Sequence, residues 1–403
     1  MARPDRRADG LIRALFVLLM LLVPFAAPAA PRIGIATMQP GEVFWERFGH
    51  DAIVVVDPAT GASTSYNFGF FDPSEPGFVG NFVHGKMRYQ LAALPFEQDM
   101  LMYRDEGRGV AIQWLHLTDA QATQLADALA TNARPENAVY DYDYFRDNCA
   151  TRVRDAIDRV LGGELHRQLS GRSHGTTYRS EAVRLASPAT WMWLGFDVGL
   201  GPRSDRPLSL WEEAFVPMRL AASLREVEID GHPLVEGDTP VLPHRIAPEP
   251  TDAPRATWPW LAIGLVVGVL LGTAGAHRPR PVAAFAFAFW LLAGIVGALM
   301  LFLWLDTVHE FAWANRNLLL LNPLAWLGLP GAWRVLRGRG SGALMQRMLP
   351  VLAGLALIAM FSLWLESGPQ DNVRWIALLL PIHLGLWAGL RTTRHPPAAS
   401  IGA

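Results

Sequence analysis

The sequence contains one cysteine, Cys149, and one lysine, Lys86, among 403 residues. A single cysteine excludes an internal disulfide and any site built from several thiolates, such as an iron–sulfur cluster. Charged residues are also scarce, at 18% against about 25% in a typical soluble protein, whereas hydrophobic residues make up 51%. We therefore do not expect a wholly soluble cytosolic enzyme.

An excess of positive charge is missing as well. The 35 basic residues face 37 acidic ones, which gives a net charge of -2. Nucleic acid is therefore not an expected partner, because phosphate binding needs a basic surface. The eleven histidines include no pair at ligand spacing beside carboxylates, so we predict neither a metal nor another cofactor.

The first 30 residues form the first of three zones. Four arginines precede an apolar run at 14–23, and Ala27-Pro28-Ala29 resembles a signal-peptidase cleavage site. A signal peptide fits this pattern; the alternative is an uncleaved anchor, since 11–27 is just long enough to span a membrane. In both cases the following domain lies outside the cytoplasm.

The second zone, 31–250, has the mixed pattern of an α+β domain. Turn residues at 57–61 separate two strand-like runs, which predicts a hairpin. A proline-rich acidic stretch at 236–255 predicts a linker. The predicted elements are strands at 51–56, 65–71 and 110–117, and helices at 118–129 and from Asp147 to Leu161.

The third zone, 251–395, is predicted to be an all-α transmembrane region. Its apolar stretches at 257–275, 281–305, 318–335, 349–365 and 375–390 predict five spans. Arginines cluster after the first, third and fifth, which by the positive-inside rule places zone two on the outer side. Asn322-Pro323 interrupts the third stretch, so a re-entrant segment is the alternative there.

Cys149 is the strongest candidate for chemistry. It falls in the first turn of a predicted helix capped by Asp147 or Asn148, where unpaired N–H groups favour a thiolate. Arg152, one turn later, is expected to add to this effect. An exported free cysteine is a liability unless it is used or buried, and the alternative is a small buried hydrophobic residue.

A thiol nucleophile needs a base, and His50 has the best position among the histidines. It begins an apolar strand directly after Gly49, where a polar ring is costly without a partner. Asn67 comes near His50 if the hairpin pairs about its turn, so we predict that Asn67 orients the imidazole. A surface histidine and an ordinary strand-end asparagine are the alternatives.

At these residues the chain resembles the Lnb-type family of bacterial lipoprotein N-acyltransferases. The His-before-Cys order is similar to the circularly permuted branch of the papain-like NlpC/P60 superfamily. The resemblance implies a permuted papain-like periplasmic domain followed by a multi-span membrane region, with Cys149 as nucleophile and His50 as base. The matching segments are RFGH (47–50), YNFGFFD (66–72), GKMRY (85–89), DNCAT (147–151) and GLG (199–201), with His309, Asn315, Asn317, Leu318, Leu319, Asn322 and Pro323 further on.

The family's activity implies a two-step acyl transfer. Cys149 takes an acyl chain from a membrane phospholipid and passes it to the N-terminal amine of a lipidated apolipoprotein. The implied location is the bacterial inner membrane, with several spans and the catalytic domain in the periplasm. The residues expected to contact substrate are Asn148, Arg152, Lys86, Tyr89, His309, Asn315 and Asn317.

Two other functions remain open at this point. A membrane-anchored cysteine peptidase or amidase acting on cell-wall peptides would use the same Cys–His pair. A non-enzymatic envelope scaffold would not need the thiol. The membrane half favours the acyltransferase, because a wall hydrolase needs one anchor at most.

Overall fold

The structure is a computed structural model that describes residues 29–253, 256–365 and 370–391. The predicted signal peptide or anchor lies outside these ranges except for its last two residues. The chain is a mixed α+β protein, with an antiparallel sheet domain followed by a helical region.

Seven strands form the main sheet: β1 (Arg32–Met38), β2 (His50–Val56), β3 (Ser63–Phe70), β4 (Arg88–Pro95), β5 (Val110–Leu115), β6 (Val139–Asp141) and β9 (Val235–Leu242). They lie in the order β6-β4-β3-β2-β1-β5-β9, and every neighbouring pair is antiparallel. Two further strands, β7 (Glu228–Ile229) and β8 (His232–Pro233), make a small separate ribbon.

Helices cover both faces of this sheet. On one face the helix Cys149–Val160 packs against the strands. Its Val153 and Ile157 are fully buried, which stabilises the fold by about 1.5–3 kcal/mol for each side chain. On the other face the helix Phe96–Glu106 buries Met100 and Tyr103. The helices of this domain are α1 (Phe78–His84), α2 (Phe96–Glu106), α3 (Asp119–Asn132), α4 (Pro135–Ala138), α5 (Cys149–Val160), α6 (Glu164–Leu169), α7 (Tyr178–Ala186), α8 (Thr190–Gly199), α9 (Leu210–Glu213) and α10 (Pro217–Leu224).

The predicted hairpin is confirmed. Ala52 of β2 pairs with Asn67 of β3, and the Asp57 carboxylate stabilises the turn by accepting hydrogen bonds from Ala59 and Thr60. The predicted helix starts are also confirmed. Thr118 begins α3 and Asn148 begins α5, each in a capping box with the residue three positions later.

The predicted linker at 236–255 needs correction. Its first part belongs to β9, which pairs with β5 at the edge of the sheet. Pro240 and Gly237 favour a linker in sequence. An edge strand tolerates them because only one of its sides is hydrogen-bonded, and the pairing here is interrupted by two irregularities.

In the described part of the membrane region, three helices are long and apolar enough to cross a bilayer, so the predicted five-helix count is not confirmed. The first predicted span is a shorter apolar helix, α11 (Trp258–Ala274). The three long elements are α12 (Pro279–Leu305), α14 (Ala343–Phe361, continued as a tight turn to Trp364) and α15 (Val373–Leu390).

The third predicted span, 318–335, is not one helix. It consists of two 3₁₀ segments, Arg316–Leu319 and Pro323–Gly328, and then helix α13 (Leu329–Leu336). Pro323 has no N–H to continue a helix, and the Asn322 side chain instead caps the next turn by accepting from Leu324. The polar break predicted from Asn322-Pro323 therefore divides this segment.

Candidate active site

His50 is held by a chain of buried polar side chains. Its Nε2 lies 3.0 Å from Oδ1 of Asn67, and Asn67 Nδ2 donates to Asp99 Oδ2 at 3.0 Å and to Ser65 Oγ at 2.9 Å. A carboxylate only accepts hydrogen bonds, so Asp99 fixes which end of the Asn67 amide faces His50. Nε2 of His50 must then carry the proton, which leaves Nδ1 as the basic nitrogen.

The protonation state of His50 is set by its surroundings. Burial lowers the pKa of the imidazole, and the nearby positive charge of Arg108 lowers it further. The hydrogen bond with Asn67 and the charge of Asp99 act in the opposite direction. The net decrease keeps His50 neutral, the form that accepts a proton.

Cys149 is the first residue of α5 and is 8% exposed. The backbone N–H of Asp51, the residue after His50, lowers the pKa of the Cys149 thiol. Gly69 of β3 approaches from another side: a Cβ on Gly69 would be 3.9 Å from Cys149 Cβ. The glycine also has a φ of +88°, which other residues rarely adopt.

The predicted thiolate is not what these surroundings favour. Burial, and then the charge of Asp51, raise the pKa of Cys149 to about 12, although N–H groups of Asp51, Cys149 and Ala150 oppose the increase. Arg152 does not pair with the sulfur; it binds Asp147 at 2.5 and 2.7 Å and lies over the Tyr140 ring. Because the thiol is neutral at physiological pH, its use as a nucleophile requires a base.

Asn148 has a structural position. Its Oδ1 caps α5 by accepting from Thr151 N–H, and its Nδ2 donates to the carbonyls of Tyr144 and Phe215 at 2.9 Å. The side chain is 5% exposed. Its amide therefore fixes the start of α5, and thus the position of Cys149.

Sequence reasoning missed three buried residues of the site: Asp51, Ser65 and Asp99. Asp51 is fully buried; its Oδ1 accepts from Thr37 at 2.7 Å, while Oδ2 has no hydrogen-bond partner within the described residues. Burial raises the pKa of Asp51 to about 7. An acidic residue inside an apolar strand was a usable signal for Asp51, whereas Asp99 on α2 gave none.

We expect Asp51→Asn to raise the alkylation rate of Cys149 by about tenfold at about pH 8.5, the change that one pKa unit corresponds to. Only the thiolate reacts, and the variant removes the negative charge that opposes it while keeping the backbone N–H. Below about pH 6 the two proteins should react at similar rates, because wild-type Asp51 is then protonated. Iodoacetamide labelling followed by intact mass measures both rates.

The control for this experiment is Asp57→Asn, which removes a carboxylate from the exposed turn at the far end of β2. Its rate should equal that of the wild type at both pH values. Equal rates for Asp51→Asn and wild type at high pH would contradict the effect ascribed to Asp51.

Aromatic rings surround the thiol on the side of β4. Tyr142 packs against Gly69, next to Cys149, and its ring lies 4.6 Å from Tyr89. Tyr89 in turn stacks on Phe71 at 4.9 Å, and burial raises the pKa of Tyr89 to about 12. The predicted substrate residue Tyr89 thus belongs to an aromatic wall that begins at Cys149.

Lys86 and His309 lie at the junction with the membrane region. Lys86 is exposed and directly follows the glycine that ends α1. His309 is partly buried; its Nε2 lies 3.2 Å from the carbonyl of Phe82 in α1, and its ring stacks on Tyr144. The structure therefore places both residues beside α1.

The sequence predicts Asn315 and Asn317 on an open surface in contact with substrate, but the structure buries both. They are 2% and 0% exposed, and their amides donate to carbonyls at the end of α8, including Val198 at 2.8 and 3.0 Å. The last carbonyls of a helix have no partner within it. These two residues satisfy them and so join the membrane region to the sheet domain.

A buried ion pair also joins the membrane region to the sheet domain. Asp197 of α8 accepts from Arg374 at 2.8 Å and from the indole N–H of Trp375 at 2.9 Å, both at the start of α15. Gly201 N–H also donates to the Phe311 carbonyl at 2.6 Å. The domain that carries Cys149 is therefore fixed against the ends of the membrane helices.

A neutral imidazole oriented by an amide and a buried thiol are the groups that nucleophilic catalysis by cysteine uses. Within the described ranges, no group of three or more His, Cys, Asp or Glu side chains is placed to hold a metal ion.

Comparison with known proteins gives two matches. Residues 26–184 match the Lnb N-terminal periplasmic domain, and residues 257–388 match the Lnb transmembrane domain. No curated protein and no solved structure matches the chain. One match covers most of the sheet domain and the other covers the membrane region, so the chain belongs to the Lnb family. The domains of this family indicate a membrane-anchored protein of lipoprotein processing.

Proposed function

We propose that this protein is a cysteine-dependent lipoprotein N-acyltransferase of the bacterial inner membrane. It moves an acyl chain from a phospholipid to the N-terminal amine of a lipidated apolipoprotein. The observation that carries the proposal is the His50 site: Asn67 holds Nε2, and the backbone N–H of the next residue, Asp51, lowers the pKa of the Cys149 thiol. Both substrates are anchored in the membrane, which agrees with a site fixed to a membrane region.

The first half-reaction forms a thioester. His50 Nδ1 takes the thiol proton while the Cys149 sulfur attacks the ester carbonyl of the phospholipid. The ester C–O bond breaks, and His50 returns the proton to the departing lysophospholipid oxygen. A buried neutral thiol suits this step, because it becomes reactive only when the base removes its proton.

The second half-reaction transfers the chain. The lipoprotein amine attacks the thioester carbonyl, and the C–S bond breaks to release the amide product. The amine proton passes through His50 to the sulfur, which restores the starting thiol. No net proton or electron is gained or lost over the cycle.

Backbone N–H groups would stabilise the negative oxygen in both steps. Cys149 and Ala150 lie in the first turn of α5, where N–H groups have no acceptor within the helix. The Asn148 side chain is occupied by its capping bonds, so we assign it a positioning role. Each hydrogen-bond donor to the negative oxygen typically raises the catalytic rate by about 10²–10³-fold.

The test is mass spectrometry of lipoprotein N-terminal peptides from cells that lack their own N-acyltransferase. We expect an added N-acyl chain with the wild-type protein and none with Cys149→Ala at equal membrane abundance. Diacyl lipoproteins in both strains would overturn the proposal and direct the search to cell-wall peptides as substrates. N-acylation that persists with Cys149→Ala would leave the reaction but exclude this nucleophile.

A further inference from the structure

Three segments of the sheet domain expose large apolar side chains on one continuous surface. We call this surface, made of Val43, Trp45, Val79, Val83 and Trp191, the apolar edge. Their exposures are 43%, 59%, 70%, 40% and 68%. Exposed apolar side chains that form one contiguous patch mark a contact surface.

Ring contacts join the three segments. Phe44 stacks on Trp191 at 6.0 Å, which links the loop before β2 to α8. Trp45 contacts Phe71 at 6.1 Å, and Phe71 stacks on Phe78 at 5.5 Å, which links the same loop to α1. The apolar edge is therefore one surface and not three separate exposures.

The apolar edge is continuous with the ends of the membrane helices. At one side, the His84 ring at the end of α1 lies 5.7 Å from Phe302, one turn before α12 ends at Leu305. At the other side, Trp193 of α8 lies 6.3 Å from Trp260, in the first turn of α11. These helix ends are where the hydrocarbon core gives way to lipid headgroups.

Helix α1 has the pattern of an interfacial helix. It contains no buried residue, and Val79 and Val83 are one turn apart on the same side. Tryptophan is favoured at the membrane interface because its ring is apolar and its N–H is polar, and the apolar edge exposes two. Lys86 is exposed just after α1, so with α1 in the interface its ammonium group would reach the lipid phosphates.

We propose that the apolar edge is a second membrane-contact surface, inserted among the acyl chains of the outer leaflet beside the spanning helices. The contact is independent of the chemistry at Cys149. If the proposed function holds, the edge also gives an acyl chain a route to the thiol, because the aromatic wall of Phe71, Tyr89 and Tyr142 runs from the edge to Cys149.

The lone cysteine makes a site-specific test direct. In the full-length Cys149→Ala protein, Val79→Cys or Val83→Cys is labelled with a nitroxide and reconstituted in phosphatidylglycerol and phosphatidylethanolamine vesicles. Accessibility to oxygen, which concentrates in lipid, is compared with accessibility to a water-soluble nickel complex. Ala59→Cys, in the exposed turn after β2, and Asn81→Cys, on the other side of α1, are the matched controls.

We expect the oxygen-to-nickel ratio at Val79 and Val83 to be severalfold higher than at Ala59 and Asn81. A ratio at Val79 equal to that at Ala59 would show a surface in water and overturn the proposal. An immobile label that neither reagent reaches would show cover by protein, and would overturn it too. The readout needs no acyl transfer, so its outcome is separate from that of the proposed function.

Discussion

Replacing His50 by glutamine is expected to lower the rate of acyl transfer by about 10²–10⁴-fold, the usual contribution of a general base. Glutamine can still donate to Asn67 Oδ1, so the buried hydrogen-bond chain keeps its form. It has no basic nitrogen to take the proton of a thiol whose pKa is about 12. Single-turnover formation of the thioester, followed by mass, measures the rate.

His232→Gln is the matched control, because this exposed histidine lies in the small ribbon of β7 and β8. It should transfer acyl chains at the wild-type rate. A His50→Gln variant that keeps more than about a tenth of the wild-type rate, while Cys149→Ala is inactive, would show that another group is the base.

The pH dependence of the acyl-transfer rate gives a second test of His50 as the general base. Burial lowers the pKa of His50 from the usual value of about 6.5, so the neutral base already dominates at neutral pH. The wild-type rate should therefore fall to half its maximum only below about pH 6.5. A rate that halves between about pH 7.5 and 6.5 would place the pKa at its usual value of about 6.5, contrary to the decrease ascribed to burial.

Asp197→Asn is expected to destabilise the protein more than any other single change considered, by about 3–5 kcal/mol. Arg374 and Asp197 are 7% and 2% exposed, and the variant leaves the guanidinium buried opposite a neutral amide. At about 2–4 °C for each kcal/mol in a domain of this size, the thermal midpoint should fall by roughly 10 °C. Near-UV circular dichroism of the detergent-solubilised protein measures it.

Asp127→Asn supplies the control, because it removes an exposed carboxylate on α3 and should leave the midpoint unchanged. The double variant Asp197→Asn/Arg374→Met should recover part of the loss, since it also removes the buried guanidinium that has lost its nearer carboxylate. If Asp197→Asn has the same thermal midpoint as the wild type, the ion pair does not hold the two domains together.

The sequence by itself was enough for several features that depend on neighbours along the chain. The Asp57–Gly61 turn and the two flanking strands predict the hairpin that brings Asn67 opposite the start of β2. A capping residue followed by an apolar stripe places Cys149 at the start of α5. Long apolar runs predict the membrane helices, because periodicity and length are local properties.

The chemistry of the site was decided by the tertiary structure. Asp99 lies 32 residues beyond Asn67 and reaches it only because α2 packs on that face of the sheet. The helix start predicts a reactive thiolate at Cys149, but burial and Asp51 raise its pKa instead. Desolvation depends on every element packed around a group, and no local pattern in the sequence records it.

Dependence on tertiary contacts also explains why the sequence does not predict the burial of Asn315 and Asn317. In sequence they are polar residues of an outer loop, which predicts contact with solvent or substrate. Their actual partners are the carbonyls that end α8, more than a hundred residues earlier. Which unpaired backbone groups they satisfy follows from the docking of two domains, and that docking exists only in the folded molecule.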